Sequence, residues 1–282
     1  MSKEYILLDG GLATALEDLG ETFTSELWTG EILKSAPEQI REAHAAFVRA
    51  GAQIIITSTY QVSFPGCIAK GWTHKEVVDA LVLSVQLARE AHAPKVAASI
   101  GPYGAYLADG SEYRGNYQVT DQELIDFHKQ RLEILISTKP DYLAIETIPE
   151  IREARVLLQL LKDLGNTIPV WIAFSCKDEE HLSSGESFRD AAALSKELGA
   201  DYVGINCTSP ELVTGLLESA KGYGPFVVYP NAGRTWNEKL KRLEGSAVKL
   251  SDQHIQQWAE CGATIIGGCC GIGPKEIAQV QG

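Results

Sequence analysis

Residues 264–272 read Thr-Ile-Ile-Gly-Gly-Cys-Cys-Gly-Ile, a short β-branched run that ends in a glycine-rich turn. Other apolar or β-branched runs precede it along the chain, and each of them also ends in a polar or glycine-rich turn. Such runs are typical of buried strands, and the amphipathic stretches that follow most of them are typical of helices. Eight strands are predicted, over residues 5–8, 53–57, 95–100, 142–145, 170–174, 202–205, 226–229 and 264–266.

The predicted helices have recognisable ends. Thr73-His74-Lys75-Glu76 and Thr120-Asp121-Gln122-Glu123 are capping boxes, in which hydroxyl and carboxylate satisfy free backbone donors. Ser209-Pro210 supplies a candidate cap followed by a proline, which is favoured in the first turn of a helix. Glycines stand at three expected helix ends, namely Gly51, Gly165 and Gly199.

Eight buried strands that alternate with helices over roughly 250 to 300 residues predict an α/β fold of the (β/α)8 TIM-barrel type with parallel strands. The chain has 282 residues, of which 45% are hydrophobic. That is enough for one large core, and we expect a single domain over residues 1–282. A doubly wound open sheet is the alternative, although it would usually have fewer strands. In a barrel of this type, functional residues lie at the carboxyl ends of the strands.

Composition excludes several classes of partner. The net charge of −12 argues against a surface for nucleic acid or for anionic lipid. No apolar run reaches membrane-spanning length, and residues 1–5 lack the apolar stretch of a signal peptide. We therefore expect a cytoplasmic protein, in which the six cysteines are thiols, ligands or nucleophiles rather than a disulfide framework.

Three cysteines follow strands that end at the same mouth of the predicted barrel. Cys207 comes after the sixth strand, and Cys269 and Cys270 come after the eighth. Three thiolates at one point leave one coordination position open, which is typical of a catalytic zinc site. Because neighbouring side chains of a strand point to opposite faces, both members of the pair could bind one metal only within a loop.

The residues alone leave other interpretations of this segment open. The pair could be two buried thiols in a non-catalytic thiol or zinc-binding module. Alternatively, the backbone amides of residues 267–273 could cradle a phosphate, as in (β/α)8 lyases and isomerases. That second interpretation accounts for the glycines but makes no use of the cysteines.

Motifs spread over nearly the whole chain resemble the homocysteine S-methyltransferase family. They are Leu8-Asp9-Gly10-Gly11, Ala15-Leu16-Glu17, Ser58-Thr59-Tyr60-Gln61, residues 101–107, Glu146-Thr147-Ile148-Pro149-Glu150, Asn206-Cys207, Tyr229-Pro230-Asn231 and Gly267-Gly268-Cys269-Cys270-Gly271. Residues 101–115 are most similar to the subgroup that uses S-methylmethionine or S-adenosylmethionine. The chain departs from the family pattern mildly, at Ala232 and Arg234, where the family often has Ser and Glu.

The resemblance implies a (β/α)8 barrel in which Cys207, Cys269 and Cys270 hold a zinc ion and thereby serve catalysis. It implies transfer of a methyl group from a sulfonium donor to homocysteine, forming methionine. The homocysteine sulfur is expected as the fourth ligand, since zinc keeps a thiol ionised at neutral pH. Glu146 is the expected partner of the homocysteine ammonium and Asp9 the second candidate. The other expected substrate contacts are Gly10, Gly11, Thr59 and Asn206.

Residues 101–116 form a long connection, which we call the rim segment. Loops of this length are often lids. Tyrosines occur along it and just beyond it, and two interpretations remain open: they could contact the sulfonium of the donor, or they could pack the segment onto the barrel. The six histidines are interpreted as surface or packing residues without partners. Ser175 has no histidine suitably placed for a hydrolytic triad.

Overall fold

The computed structural model describes residues 5–23, 25–233, 235–237, 242–244 and 250–280. Its strands are β1 (Ile6–Leu7), β2 (Ile54–Ile56), β3 (Lys95–Ile100), β4 (Tyr142–Ile148), β5 (Val170–Phe174), β6 (Tyr202–Asn206), β7 (Phe226–Tyr229), β8 (Thr235–Asn237), β9 (Arg242–Glu244) and β10 (Ala263–Ile266). Eight of them form one parallel sheet in the order β1-β10-β7-β6-β5-β4-β3-β2, while β8 and β9 pair antiparallel. All eight predicted strands are therefore present.

The two ends of this sheet meet and close the barrel. The amide of Gln53 donates to the carbonyl oxygen of Leu7 at 2.7 Å, and the amide of Asp9 donates to that of Ile54 at 3.1 Å. Leu8 and Ile54 also form a parallel bridge. These bonds join β1 to β2, so the prediction of a (β/α)8 barrel is confirmed and the open-sheet alternative is wrong.

Helices cover the outside of the barrel. Their bounds are α1 (Leu12–Asp18), α2 (Thr29–Ser35), α3 (Pro37–Arg49), α4 (Phe64–Ala69), α5 (His74–Glu90), α6 (Tyr103–Leu107), α7 (Asp121–Ser137), α8 (Ile151–Asp163), α9 (Phe188–Glu197), α10 (Pro210–Ser219), α11 (Asp252–Glu260) and α12 (Pro274–Val280), with a 3₁₀ turn over Ser111–Tyr113. None of the helices in the described ranges is long and apolar enough to cross a bilayer.

Local signals in the sequence set several of these helix ends. Both predicted capping boxes form, at the starts of α5 and α7. Ser209 precedes α10 as expected, but its side chain makes no capping bond and only Pro210 in the first turn acts as foreseen. Gly51, Gly165 and Gly199 have φ values of 93°, 66° and 88°, the left-handed conformation in which helices commonly end.

The lumen of the barrel is filled by a few large side chains opposed by small ones. Trp171 and Tyr229 are buried there, and the Trp171 indole donates a hydrogen bond to the Tyr229 hydroxyl at 3.1 Å. Alanines at residues 97, 144 and 173 belong to the same buried cluster. Because the lumen is packed, space for a ligand remains only at the mouth, where the carboxyl ends of the strands carry polar side chains.

Candidate active site

The three predicted cysteine ligands converge at the mouth of the barrel. The Sγ atoms of Cys207, Cys269 and Cys270 all lie within 4.8 Å of one another, and those of Cys207 and Cys269 are 2.6 Å apart. All three are free thiols and partly exposed, so a ligand can reach them. Within the described ranges, this is the one group of three or more His, Cys, Asp or Glu side chains whose ligand atoms are close enough together to bind one metal ion.

The chemistry of this donor set fits a metal ion. Hydrogen bonds from Cys207 and Cys269 lower the pKa of the Cys270 thiol well below its usual range. The bond to Cys207, followed by that to Cys270, raises the pKa of Cys269 instead. Neighbouring thiols thus cannot all ionise by themselves, whereas a divalent cation would bind all three as thiolates. A tetrahedral zinc site places its sulfur ligands about 3.8 Å apart, which is within the 4.8 Å bound for the three thiols, but Cys207 and Cys269 would have to separate by about 1 Å to reach it.

The ends of β4 and β6, which lie on either side of β5, turn sharply to aim side chains into the mouth. Thr147 and Cys207 have φ values of 60° and 47°, a left-handed conformation that is strained for residues other than glycine. Asn206, fully buried, holds this arrangement, since its Oδ1 accepts from the Thr147 amide at 2.7 Å and its Nδ2 donates to the Thr147 hydroxyl at 2.8 Å. Asn206 therefore orients the residue that follows Glu146, as well as the cysteine that follows itself.

Two buried carboxylates lie beside the thiols. Asp9 is 1% exposed and Glu146 is 7% exposed. Burial raises the pKa of Asp9, and the nearby charge of Glu146 adds to that rise. Burial also raises the pKa of Glu146 to about 7, a bond from Ser99 opposes the rise, and the Cys207 thiol adds to it. Among the described residues, no cation bonds to either carboxylate, and Asp9 Oδ1 has no partner.

Each carboxylate is nevertheless held in place by neutral donors. The Ile56 amide donates to Asp9 Oδ2 at 2.8 Å. The Ser99 hydroxyl donates a very short hydrogen bond to Glu146 Oε1. The hydroxyl of Tyr229 bonds to Glu146 from the lumen side. Both carboxylates are thus held rigidly by hydrogen bonds, and neither is bonded to a cation of the described residues. Such an arrangement suits the binding of a cationic ligand.

The two glycines after Asp9 allow close contact between loops. A Cβ on Gly10 or Gly11 would collide with the carbonyl oxygen of Ile272 or of Cys269. The amide of Gly11 donates to the Ile272 carbonyl at 2.8 Å, so it is engaged within the protein. These glycines bring Asp9 next to the loop that carries the cysteine pair. Thr59 is likewise engaged, because its hydroxyl donates to the Ser99 carbonyl at 2.8 Å.

The cysteine loop has almost no free amides to offer a phosphate. Its N–H groups donate within the protein, from Gly267 to the Val228 carbonyl, from Gly268 to that of Asp9, from Cys269 to that of Pro230, from Gly271 to the Thr14 hydroxyl, from Ile272 to the Cys269 carbonyl and from Gly273 to the Glu276 carboxylate. A phosphate cradle needs several such groups unpaired. The geometry therefore disfavours the phosphate-binding alternative.

The rim segment turns two residues toward the thiols. Glu112 is partly buried, and its Oε2 is shielded from solvent without a bonding partner among the described residues. Burial raises the pKa of Glu112 to about 7, and the Cys207 thiol adds to the rise. Tyr113 is 40% exposed, but its hydroxyl is locally desolvated and close to Cys207 and Cys270, which raises its pKa.

The tyrosines at the two ends of the rim segment pack against α7 instead. The ring centroid of Tyr103 lies 5.0 Å from that of Phe127 and 5.5 Å from that of Tyr117, and the Tyr106 and Phe127 centroids are 5.5 Å apart. For these three tyrosines, the interpretation as rim packing is supported. Tyr113 is the tyrosine of the segment that adjoins the thiols.

Ionic side chains of α7 and α8 hold the segment from outside. Arg131 Nη2 donates to the Gly101 carbonyl and, at 2.6 Å, to Nδ1 of His128, so His128 donates from Nε2 to Glu153 at 2.8 Å. Glu153 also accepts from the Tyr103 amide at 2.6 Å. The view of the histidines as residues without partners is therefore wrong for His128, and also for His74, which bonds to Gln130 at 2.6 Å, and for His181, which bonds to Asp178 at 2.8 Å.

The far end of the segment is held by the start of α8. Glu150 accepts from the Asn116 amide and, at 3.2 Å, from Arg152. Arg152 donates to the carbonyl oxygens of Val119 and Tyr117 at 2.7 Å and 3.0 Å. We call this group of five side chains the clamp; it consists of His128, Arg131, Glu150, Arg152 and Glu153.

Sequence reasoning missed Glu112 and the clamp. The one signal for Glu112 was its place in a long connection rich in tyrosine. Apart from Glu150, which belongs to the Glu146–Glu150 motif, the clamp gave no signal, because its other residues are scattered over α7 and α8, whose sequences are those of ordinary amphipathic helices. Arg234, one of the two departures from the family pattern, lies outside the described residues.

Comparison with known proteins identifies relatives along the whole chain. The family model for homocysteine S-methyltransferase matches residues 6–282. Homocysteine S-methyltransferase 1 of Zea mays is 41% identical, over 98% of this chain and 93% of its own length. Homocysteine S-methyltransferase YbgG of Bacillus subtilis is also 41% identical, with the same two coverages.

A solved structure shares the fold as well. The metallated form of the homocysteine methyltransferase MmuM from Escherichia coli superposes with a TM-score of 0.89 at 38% identity, covering 99% of this chain and 96% of that one. Sequence and structure agree over the full barrel. The chain therefore belongs to the homocysteine S-methyltransferase family, whose members are methyl-transferring enzymes.

Proposed function

We propose that this protein transfers a methyl group from a sulfonium donor, S-methylmethionine or S-adenosylmethionine, to the sulfur of homocysteine, and that Cys207, Cys269 and Cys270 hold a zinc ion. The observation that carries the proposal is the convergence of three thiols within 4.8 Å beside buried carboxylates to which no cation of the described residues is bonded. The full-length similarity to homocysteine S-methyltransferases supports it.

The transfer is a displacement at carbon. The acceptor sulfur forms a bond to the methyl group while the bond from that carbon to the donor sulfur breaks, and its electron pair stays on the donor sulfur as a neutral thioether. With S-methylmethionine, donor and acceptor both end as methionine. When bound, zinc supplies the positive charge that keeps a thiol ionised near neutral pH.

The side chains of the mouth orient the acceptor. The Glu146 carboxylate is fixed by Ser99 and Tyr229 and binds the ammonium group of homocysteine, with Asp9 as a second carboxylate on the same side. Each carboxylate raises the free energy of ionising the other, so an ammonium between them stabilises both. Charge-assisted hydrogen bonds of this kind fix direction as well as affinity. The acceptor sulfur is thereby directed toward the cysteines.

Asn206 and Thr59 position the residues that bind the substrate and do not contact it themselves. Asn206 fixes the left-handed turn at Thr147 and so holds the strand end from which Glu146 projects. Thr59 is 1% exposed and ties the end of β2 to that of β3. We assign both as positioning residues, whose replacement would lower the rate by displacing the carboxylates rather than by removing a substrate contact.

The proposal is tested by measuring methionine and metal together. Zinc-loaded protein is incubated with homocysteine and, separately, with S-methylmethionine, S-adenosylmethionine or betaine, and methionine is quantified by mass spectrometry. We expect methionine with a sulfonium donor and one zinc per chain by elemental analysis. Betaine, an ammonium donor without sulfur, is expected to be inactive.

Cysteine variants separate the site from a general thiol effect. Cys207→Ser is expected to lose zinc and to slow methyl transfer by about a thousandfold or more, since removal of a ligand removes the ionised acceptor. Cys261→Ser is the matched control, because Cys261 lies at the end of α11 and outside the cluster. Full activity of zinc-free protein, or of Cys207→Ser, would contradict the proposal.

A further inference from the structure

Glu112 is held firmly at the inner side of the rim segment. It lies in the 3₁₀ turn Ser111–Tyr113. Its carbonyl oxygen accepts a hydrogen bond of 2.9 Å from the hydroxyl of Ser175, the residue that follows β5. The Ser175 hydroxyl accepts in turn from that of Ser183 at 2.9 Å. The backbone of Glu112 is therefore tied to the barrel, and its side chain has a defined place.

The Glu112 carboxylate lies near the mouth and has no bonded cation among the described residues. Its Oε2 is shielded from solvent and has no bonding partner among the described residues. The groups whose charge it senses include Cys207 and Tyr60, which line the mouth, and Asp109 and Arg114 of the rim segment itself. Arg114, the nearest cation along the chain, donates to the carbonyl oxygen of Asp109 at 3.0 Å and forms an ion pair with its carboxylate at 3.4 Å.

A shielded carboxylate with an unused acceptor atom is costly unless a ligand completes it. A sulfonium amino acid offers two cationic centres. The sulfonium loses its charge during transfer, so a carboxylate beside it would stabilise the bound donor more than the transition state and would slow the reaction. The ammonium keeps its charge throughout, so a carboxylate beside it holds the donor at no such cost.

We propose that Glu112 binds the α-ammonium group of the sulfonium donor; this inference rests on the proposed function. Glu146 on β4 then serves the acceptor and Glu112 on the rim segment serves the donor, and both carboxylates sense the Cys207 thiol. Tyr113, next to Glu112 and close to the thiols, offers an aromatic ring to the sulfonium, whose charge is transient. The donor class that fits is a sulfonium with a free ammonium group.

The experiment compares two donors that differ in one group. They are S-methylmethionine and 4-(dimethylsulfonio)butanoate, in which a hydrogen replaces the ammonium. In Glu112→Gln, we expect the KM for S-methylmethionine to rise by about tenfold to a hundredfold, the range for loss of one charge-assisted hydrogen bond. Three other quantities should change by less than about twofold, since Gln preserves the shape of the side chain. They are the KM for homocysteine, the zinc content, and the KM or inhibition constant of 4-(dimethylsulfonio)butanoate, according to whether it acts as a substrate or as a competitive inhibitor.

Control variants and the wild type keep the outcomes distinct. Glu180→Gln removes an exposed carboxylate from the loop after β5 and should leave all constants unchanged. Equal losses for both donors in Glu112→Gln, or a rise in the KM for homocysteine instead, would overturn the assignment of Glu112. A melting temperature equal to that of wild type excludes a folding defect, and Glu112→Asp provides a second variant with the charge retained. If zinc-loaded wild type makes no methionine, the proposed function fails, which is a separate result.

Discussion

Buried carboxylates form two groups, those of the clamp and those of the mouth, and the two groups differ in the partners to which they bond. In the clamp, Glu153 bonds to His128, and Arg131 adds a full positive charge, while Glu150 bonds to Arg152. In the mouth, Asp9, Glu112 and Glu146 have no bonded cation among the described residues, and two of them keep an oxygen without a partner.

The difference separates structural charge from functional charge. Burying a carboxylate costs several kcal/mol unless a cation or enough hydrogen bonds compensate for it. Both clamp glutamates bond to a His or Arg side chain and to amides of the rim segment, so their role is to fix that segment, although Glu153 Oε2 has no partner among the described residues and burial raises the pKa of Glu153 to about 8. The desolvation cost of the mouth carboxylates is offset only in part by neutral donors, so a cationic ligand would stabilise them more than it would stabilise the clamp. Variants of the clamp should therefore change stability first, and variants of the mouth should change kinetics first.

The largest effect on stability is expected from Arg131→Met. This change removes the guanidinium from a fully buried cluster, leaves the Gly101 carbonyl and His128 Nδ1 without their donor, and takes away the positive charge near Glu153. Removing one charged member of such a buried ionic network costs about 3–5 kcal/mol of unfolding free energy. Urea denaturation measures it, with Lys129→Met, an exposed change on the same helix, as the control. A loss below about 1 kcal/mol would mean that the clamp is not what fixes the segment.

Glu146→Gln should behave in the opposite way. We expect kcat/KM for homocysteine to fall by about a hundredfold, because a charge-assisted bond to the ammonium is lost. Stability should not fall. The folded-state pKa of about 7 lies above the usual value of 4.5, so ionisation of Glu146 destabilises the fold as pH rises from 4.5 to 7.

Unfolding free energies at pH 6 and pH 8 check this second part. In Glu146→Gln, the free energy of unfolding should fall less between pH 6 and pH 8 than it does in wild type, because the contribution of Glu146 ionisation is absent. A drop in stability of more than about 2 kcal/mol in Glu146→Gln would place this residue with the clamp and would remove the distinction between the two groups.

The sequence predicted what depends on local pattern and barrel symmetry. Strand runs, capping boxes and the positions of strand ends follow from nearest-neighbour chemistry, and the topology then brings Cys207 to Cys269 and Cys270. The length of β4 was underestimated, since it continues to Ile148 and carries Glu146 within it.

What depends on distant side chains was not predictable. Glu153 lies 25 residues from His128 on another helix, and their pairing leaves no trace in either local pattern. The left-handed turn at Thr147 depends on Asn206, which is 59 residues away. The direction of a side chain on an irregular segment, as at Glu112 and Tyr113, is set by the whole rim and not by any period of the sequence.

His44 sharpens the comparison, since it is a buried group without partners that lies outside both clusters. Neither of its ring nitrogens has a bond among the described residues, and burial lowers its pKa from 6.5 to about 4. Between pH 6.5 and pH 4, His44 is protonated in the unfolded chain but stays neutral in the folded protein. The contribution of neutral His44 to the free energy of unfolding is therefore complete above pH 6.5 and is lost as the pH falls toward 4. The loss is about 2 kcal/mol at pH 5.

His44→Leu should remove that part of the acid sensitivity while the kinetic constants at pH 7.5 remain those of wild type. Thermal unfolding at pH 5 and pH 7.5 and one set of assays measure both. If His44→Leu changed the KM of either substrate, a buried group without a bonding partner would affect function even when it is neutral and lies away from the mouth. The distinction between mouth and clamp would then be wrong.

The smallest effect is expected from Arg152→Met, which tests whether the clamp serves the mouth through the rim segment. Arg152 is 31% exposed, and its loss removes bonds to the Val119 and Tyr117 carbonyls, so the unfolding free energy should fall by about 1 kcal/mol. The far end of the segment that carries Glu112 would loosen, and the KM for the donor should rise about threefold with that for homocysteine unchanged. Arg155→Met, a more exposed change on α8, is the matched control. Equal rises in both KM values would show that the clamp supports the whole mouth rather than the donor side alone.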